Sequence, residues 1–303
     1  MSMNELNLQD KFLLPFFREN LGYREVKANT ITNSLIIEED LQEFISETEL
    51  NKKPYEALLK RYSGDKNKLL RDLIELIKDR IGSNRNMALF INNNKTVTLQ
   101  GIKLNLFYTG DSVIHNNDLF DENIFSVVQE LPYKYDYEGK QIFSFRPDIT
   151  LFVNGIYLGY SELKSNYTNQ SASKNGRGKV IKDYFEAVRV YHKYFDSSYI
   201  LGEKEKDFYR KDFLKIFEKA IHITTTDIGE TYVIRNISDY FEEILANCRQ
   251  GKFDCEDIEK EIKDSFKPYP LLKPNADKKD KLKELFTALY GKTFIEKEIL
   301  YYN

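Results

Sequence analysis

Two hydrophobic periods divide this chain. Residues 5–20, ELNLQDKFLLPFFREN, cluster their apolar positions as a helix does, with Pro15 placed to kink it and Gly22 to end it. From 35 to 82, Leu, Ile and Phe recur among many charges. That spacing predicts two or three amphipathic packing helices, the last closing at Gly82. The period then shortens. NMALFINNNKTVTL, residues 86–99, reads as strand, turn, strand, and residues 123–145 as strands around a turn at YEGK. An apolar hairpin, RPDITLFVNGIYLGYSELK, spans residues 146–164.

Past the hairpin, residues 165–179 are small, polar and Gly-containing, and are expected to form a mobile loop. VIKDYFEAVRVYHKYF (180–195) and DFLKIFEKA (212–220) read as helices, and IHITTTDIGETYVIRN (221–236) as two strands around DIGE. From 238 onward the pattern is helical and charged. Residues 267–279 hold three of the seven prolines and read as a linker. The final segment breaks off without a helix cap, which leads us to expect a longer protein.

Composition narrows the classes. A chain of 303 residues can bury a substantial core. With 45 basic and 48 acidic side chains it lacks the strongly basic balance of a dedicated nucleic-acid binder, so any polyanion site must rest on a local patch. Cys248 and Cys255 have no metal-type spacing with histidine and are expected to be reduced thiols in a cytoplasmic protein. No signal peptide and no apolar run of about 18 residues is visible, which argues against secretion and a membrane span. His115, His192 and His222 are scattered and are read as structural.

The hairpin is the anomaly. Buried charges cost several kcal/mol unless paired or metal-bound, yet this segment carries Asp148 at its start and Glu162 and Lys164 near its end. Asn154-Gly155 is a strong turn signal. Glu162 and Lys164, two apart, share a face. A two-residue turn pairs Val153 with Ile156 and hence Asp148 with Ser161, which puts Asp148 and Glu162 on opposite faces. A three-residue loop sets Asp148 against Tyr160, diagonal to Glu162, and a bulge elsewhere would also bring the acids together. A shared site therefore demands an odd loop or a bulge. Pro147 fits a strand start. Two carboxylates and a lysine on one wet face suit Mg²⁺, whose bound water becomes a nucleophile, with the lysine orienting that water or stabilising phosphate charge. The bland alternative is a Lys–Glu pair at a strand end, worth about 0–1 kcal/mol if exposed.

These residues resemble the PD-(D/E)xK nuclease superfamily. More narrowly, FRPDITLFVNGIYLGYSELK resembles the N-terminal nuclease domain of the R (restriction) subunit of type I restriction-modification enzymes. GDSVIHNNDLFDENIFSVVQELPY and AIHITTTDIGETYVIRN extend the likeness to most of residues 5–245.

The resemblance implies a mixed α/β domain over residues 1–245, with a restriction-endonuclease-like central mixed sheet flanked by helices. Residues 246–303 would be a helical segment and linker toward an ATP-dependent motor, the only part that would use ATP. It implies Mg²⁺-dependent endonucleolytic hydrolysis of double-stranded DNA, with methylation (M) and specificity (S) subunits as partners. Asp148, Glu162 and Lys164 would be catalytic. Asp148, Glu162, Leu163 and Asp10, or Glu5 in place of Asp10, would form the metal site. Lys174, Arg177, Lys179 and Lys182 cluster after the site and are expected to contact DNA phosphates.

Two departures from the family stand out. Its Gln-x-x-x-Tyr motif would fall at Ala187 and Tyr191, where glutamine is missing; Lys182, Glu186 or Arg189 could substitute, or the motif could be absent. Gly291-Lys292-Thr293 resembles the end of a phosphate loop, but Phe286 stands where its first glycine belongs. A stand-alone nuclease acting on ends, and a silent DNA-binding or assembly module, remain alternatives.

Overall fold

The structure is a computed structural model, described here for residues 9–28, 35–82, 87–109, 117–164, 170–196, 212–227, 229–253, 255–268 and 278–300. Its centre is a seven-stranded mixed sheet built from β1 (Arg24–Val26), β4 (Phe125–Gln129), β7 (Ile149–Val153), β8 (Ile156–Leu163), β9 (His222–Thr226), β10 (Thr231–Ile234) and β11 (Lys267–Pro268), adjacent in that order. β2 (Thr96–Leu99) with β3 (Ile102–Asn105), and β5 (Tyr133–Tyr137) with β6 (Lys140–Phe145), form two separate hairpins.

Every residue of β7 and β8 is buried, as expected for central strands covered on both faces. One cover comes from both ends of the chain. Phe17, on the helix Leu14–Glu19, meets Phe286 and Tyr290 on the helix Lys278–Tyr290, with ring centroids 5.8 and 5.6 Å apart. The Tyr290 hydroxyl lies 2.6 Å from Thr224 Oγ1, and its carbonyl accepts from the Tyr23 hydroxyl at 2.9 Å. Residues after 245 thus contribute a strand to this sheet and side chains to the packing around Phe17.

The other cover is the helix Arg177–Phe195. It crosses between β8 and β9, which are parallel and need such a connection. Its Tyr184 joins Phe217, Tyr160 and Phe145 in an aromatic layer.

Three helices, Glu38–Glu47, Glu49–Arg61 and Lys66–Gly82, form from the region read as amphipathic. Asp40, buried on the first, accepts from Ser126 Oγ of β4 at 2.5 Å and from Arg24 of β1 at 2.9 Å, tying this layer to the sheet. Both strands expected at 221–236 form and pair antiparallel.

Several expectations need correction. Met87–Asn93 is helical, not a strand. That helix buries Met87, Phe90 and Ile91, and in sequence a short apolar run fits either period. Pro15 lies in the first turn of Leu14–Glu19, where the π-turn Gln9–Leu13 passes directly into that helix. Of the expected loop, residues 165–169 lie outside the described residues. Ala172–Gly176 is an ordered π-turn, and the helix already begins at Arg177. Of the expected linker, 269–277 lies outside the described residues, while Lys267–Pro268 pairs with β10. Glu5 and His115 also lie outside.

Candidate active site

The hairpin turn is set by its own two residues. Asn154 and Gly155 both take positive φ, 49° and 77°. Asn154 is held on three sides. Its N–H donates to Ile124 O at 2.7 Å, its Oδ1 accepts from Ile124 N at 2.7 Å, and its Nδ2 donates to Leu106 O at 2.9 Å. A side chain at Gly155 would put Cβ 2.3 Å from Ile37 O. The turn has two residues, since Val153 pairs with Ile156.

A bulge then corrects the register. Phe152 pairs with Tyr157 but Leu151 pairs with Gly159, so β8 carries one extra residue, Leu158. Ile149 consequently faces Ser161. Continued one step, that register sets Asp148 opposite Glu162. This is the bulge that a shared site demands.

Glu162 is buried and accepts two ammonium groups. Lys164 Nζ donates to Oε1 and Lys179 Nζ to Oε2, each at 2.8 Å. Lys164 Nζ also donates to Leu163 O at 2.7 Å. Asp148 Oδ2 accepts from Leu163 N at 2.6 Å, and its main-chain carbonyl accepts from the buried side chain of Gln9 at 2.7 Å. Lys179 reaches Asp183, one turn on, at 3.3 Å and lies over the Phe145 ring.

Crowding sets the protonation states. Burial, then the negative charge of Glu162, pushes the Asp148 carboxyl up to about 7; the Leu163 N–H and the two lysines oppose this. Burial also raises Asp183 against the pull of Lys179. For Lys179, desolvation lowers the pKa but is outweighed by Glu162 and Asp183, which hold the ammonium above its usual range.

A second layer fixes the helix that carries Lys179. Asp227, buried, accepts main-chain N–H groups from Ala172 at 2.8 Å, Gly229 at 2.6 Å and Glu230 at 3.0 Å. Glu230 accepts from Ser173 N at 2.9 Å. These bonds replace the loop expected there with the π-turn. Gly176 lets that turn close down, because a Cβ would lie 2.8 Å from Thr225 and 3.4 Å from Lys164.

The structure therefore brings together Asp148, Glu162, Lys164 and the Leu163 carbonyl. Asp10 accepts from Gln129 at 2.7 Å, beside the Gln9 contact to Asp148. Among the described residues, no group of three Asp, Glu, His or Cys side chains converges as a metal site. Of the expected DNA contacts, Lys174 and Lys182 are exposed. Lys179 belongs to the charge cluster instead. Arg177 donates to Ser173 O and Lys263 O at 2.6 and 3.1 Å and lies over Tyr232. Ala187 and Tyr191 are buried, with Tyr191 against Phe241. Tyr191 lies about 18 Å along the helix from Lys179, at 1.5 Å per residue. The helix positions at the cluster are Lys179 and Asp183, whose interval of four matches that of the expected motif. Sequence reading assigned Lys179 another role and passed over Asp183.

The match to known families agrees with this core. Residues 2–211 match the family described as the type I restriction enzyme R protein N terminus. The chain belongs to that family, which places it in a restriction system that acts on DNA. Comparison with curated proteins and with solved structures returned no match. Among the described residues, no helix is long and apolar enough to cross a membrane.

Proposed function

We propose that the chain is the endonuclease domain of a type I R subunit and hydrolyses phosphodiester bonds of double-stranded DNA with Mg²⁺. The observation that carries this reading is the convergence of Asp148, Glu162 and Lys164 at neighbouring strand ends with Lys179 of the helix above them. The donor set suits a hard divalent ion. Two carboxylates and a main-chain carbonyl supply only oxygen, and burial, then the negative charge of Glu162, raises the Asp148 pKa to about 7. Asp148, Glu162 and the Leu163 carbonyl would hold the ion, with Asp10 the further acid proposed from the first helix and Asp183 the acid that shares Lys179 with Glu162. When bound, such an ion lowers the pKa of its water and offsets phosphate charge.

The chain's own side chains do the remaining work. Lys164, buried and bonded to both Glu162 and Leu163 O, orients the carboxylate and would set its ammonium beside an attacking water. Lys179, more exposed, offers its ammonium to the negative charge that grows on the phosphate. Gln9 and the Leu163 N–H hold Asp148 from both sides. ATP-driven translocation and the methylation and specificity subunits would belong to the assembled enzyme.

A second reading, a silent DNA-binding or assembly module, draws on the fact that both Glu162 oxygens already hold lysines. Plasmid cleavage in Mg²⁺ separates the two. Asp148→Ala, Glu162→Ala and Lys164→Ala in the assembled enzyme should each abolish cutting and spare ATP hydrolysis. Retained cleavage in any of the three refutes this site.

A further inference from the structure

Arg177 serves internal contacts and Lys179 belongs to the proposed active site, so beyond that site the basic run offers DNA Lys174 and Lys182. Positive charge gathers elsewhere. A cavity of about 280 Å³ lies between the helices Arg177–Phe195 and Glu256–Ser265, with Lys182, Lys260 and Lys263 in its lining beside Glu256 and Glu259. Arg177 sets the spacing of the two helices through its bond to Lys263 O. Gly178 lines the groove at a point where a Cβ would meet nothing within 4 Å.

The three lysines have no ion-pair partner among the described residues. Glu256 and Glu259 stand four residues before Lys260 and Lys263, the spacing at which helical ion pairs form, yet neither pair closes. Three ammonium groups therefore line one groove without closing an ion pair among the described residues, against two carboxylates in the same lining. Lys182 is three residues from Lys179, about 4.5 Å along the same helix at 1.5 Å per residue. A DNA strand carries one charge per roughly 3.4 Å of helix axis. A strand whose scissile phosphate lay at Glu162 and Lys179 would thus run its next phosphates past this groove.

We infer that the groove seats the sugar-phosphate backbone of DNA beside the reacting bond. Lys182, Lys260 and Lys263 make the phosphate contacts, and Glu256 and Glu259 limit the affinity. The placement rests on the nuclease reading; the binding itself does not. Its contacts carry no base information, which suits cutting away from any recognised sequence.

The test is fluorescence anisotropy of a short labelled DNA duplex across a range of salt, with Ca²⁺ to block cleavage. Replacing all three lysines by glutamine should flatten the plot of log affinity against log salt by about 2–3, since each phosphate contact contributes about 0.9. Glu256→Gln with Glu259→Gln should tighten binding several-fold, a gain that misfolding cannot produce. An unchanged slope in the lysine variant, no gain in the glutamate variant, or no DNA binding by the parent chain overturns the inference. If the parent binds as described but leaves plasmid intact in Mg²⁺, the groove stands and the nuclease reading falls.

Discussion

Asp148 and Glu162 face one another because β8 carries one residue more than β7 between the turn and the site. The Asn154-Gly155 turn alone would set Asp148 against Ser161, and the two acids would point to opposite sides of the sheet. The extra Leu158 restores the pairing. Gly159 ends the bulge where β8 must also lie against β9, and its missing side chain makes that possible. A Cβ there would sit 2.4 Å from His222 O.

Gly159→Ala therefore forces β8 and β9 apart at the residue that sets the register. The expected cost is about 1–3 kcal/mol, the range for overpacking a well-packed interior. Urea unfolding measures it directly. Divalent-ion affinity should fall in the same variant, because Glu162 loses its place opposite Asp148. A variant with parental stability would show that the bulge tolerates a side chain.

Some of this was legible in the sequence. Asn154-Gly155 gave the turn, because few other pairs accept positive φ twice in succession. The bulge had a weaker signal, a lone glycine inside a strand pattern. Met87–Asn93 misled because a short apolar run fits either period until its burial is known. The place of Lys179 could not be read at all. It depends on Asp227 and Glu230, some fifty residues later, capturing the N–H groups of the π-turn. The groove lysines are harder still, since Lys182 and Lys263 meet only through tertiary packing.

Glu162 holds two lysines, one of them also buried. Removing one member of a buried pair strands the other, at about 3–5 kcal/mol. Glu162→Leu should therefore destabilise the chain by roughly that amount, the low end being favoured because Lys179 reaches solvent. Adding Lys164→Met should recover much of the loss, since two apolar groups can replace a buried ion pair. Denaturant midpoints of the two variants give the answer. A double variant no more stable than the single one would mean that Lys164 is not strained by losing Glu162.

Phe17, Tyr23, His222 and Thr224 all touch Tyr290. A chain cut after residue 245, where the sequence places a domain boundary, loses β11, the Phe286 and Tyr290 rings and the hydroxyl that meets Thr224. Leaving buried aromatic and polar groups without partners costs several kcal/mol. The shortened chain should melt well below the full one and bind a hydrophobic dye at ambient temperature. Tyr290→Phe, which deletes the hydroxyl alone, should cost about 1 kcal/mol. A shortened chain that melts with the full one would show that the domain ends at 245.

Asp148 provides the pH signature. Its folded pKa of about 7 stands above the ordinary 3.8, so between those values the folded chain binds a proton that the unfolded chain has lost. Stability in a chelator should therefore fall as pH rises through that window and level off above it. Asp148→Asn should remove this slope. A divalent ion must displace the same proton, so binding near pH 6 should release close to one proton per ion and binding above pH 8 almost none. Calorimetry in buffers of different ionisation enthalpy counts that proton. Release that persists at high pH, or in Asp148→Asn, would assign the proton to another group and remove Asp148 from the proposed ligand set.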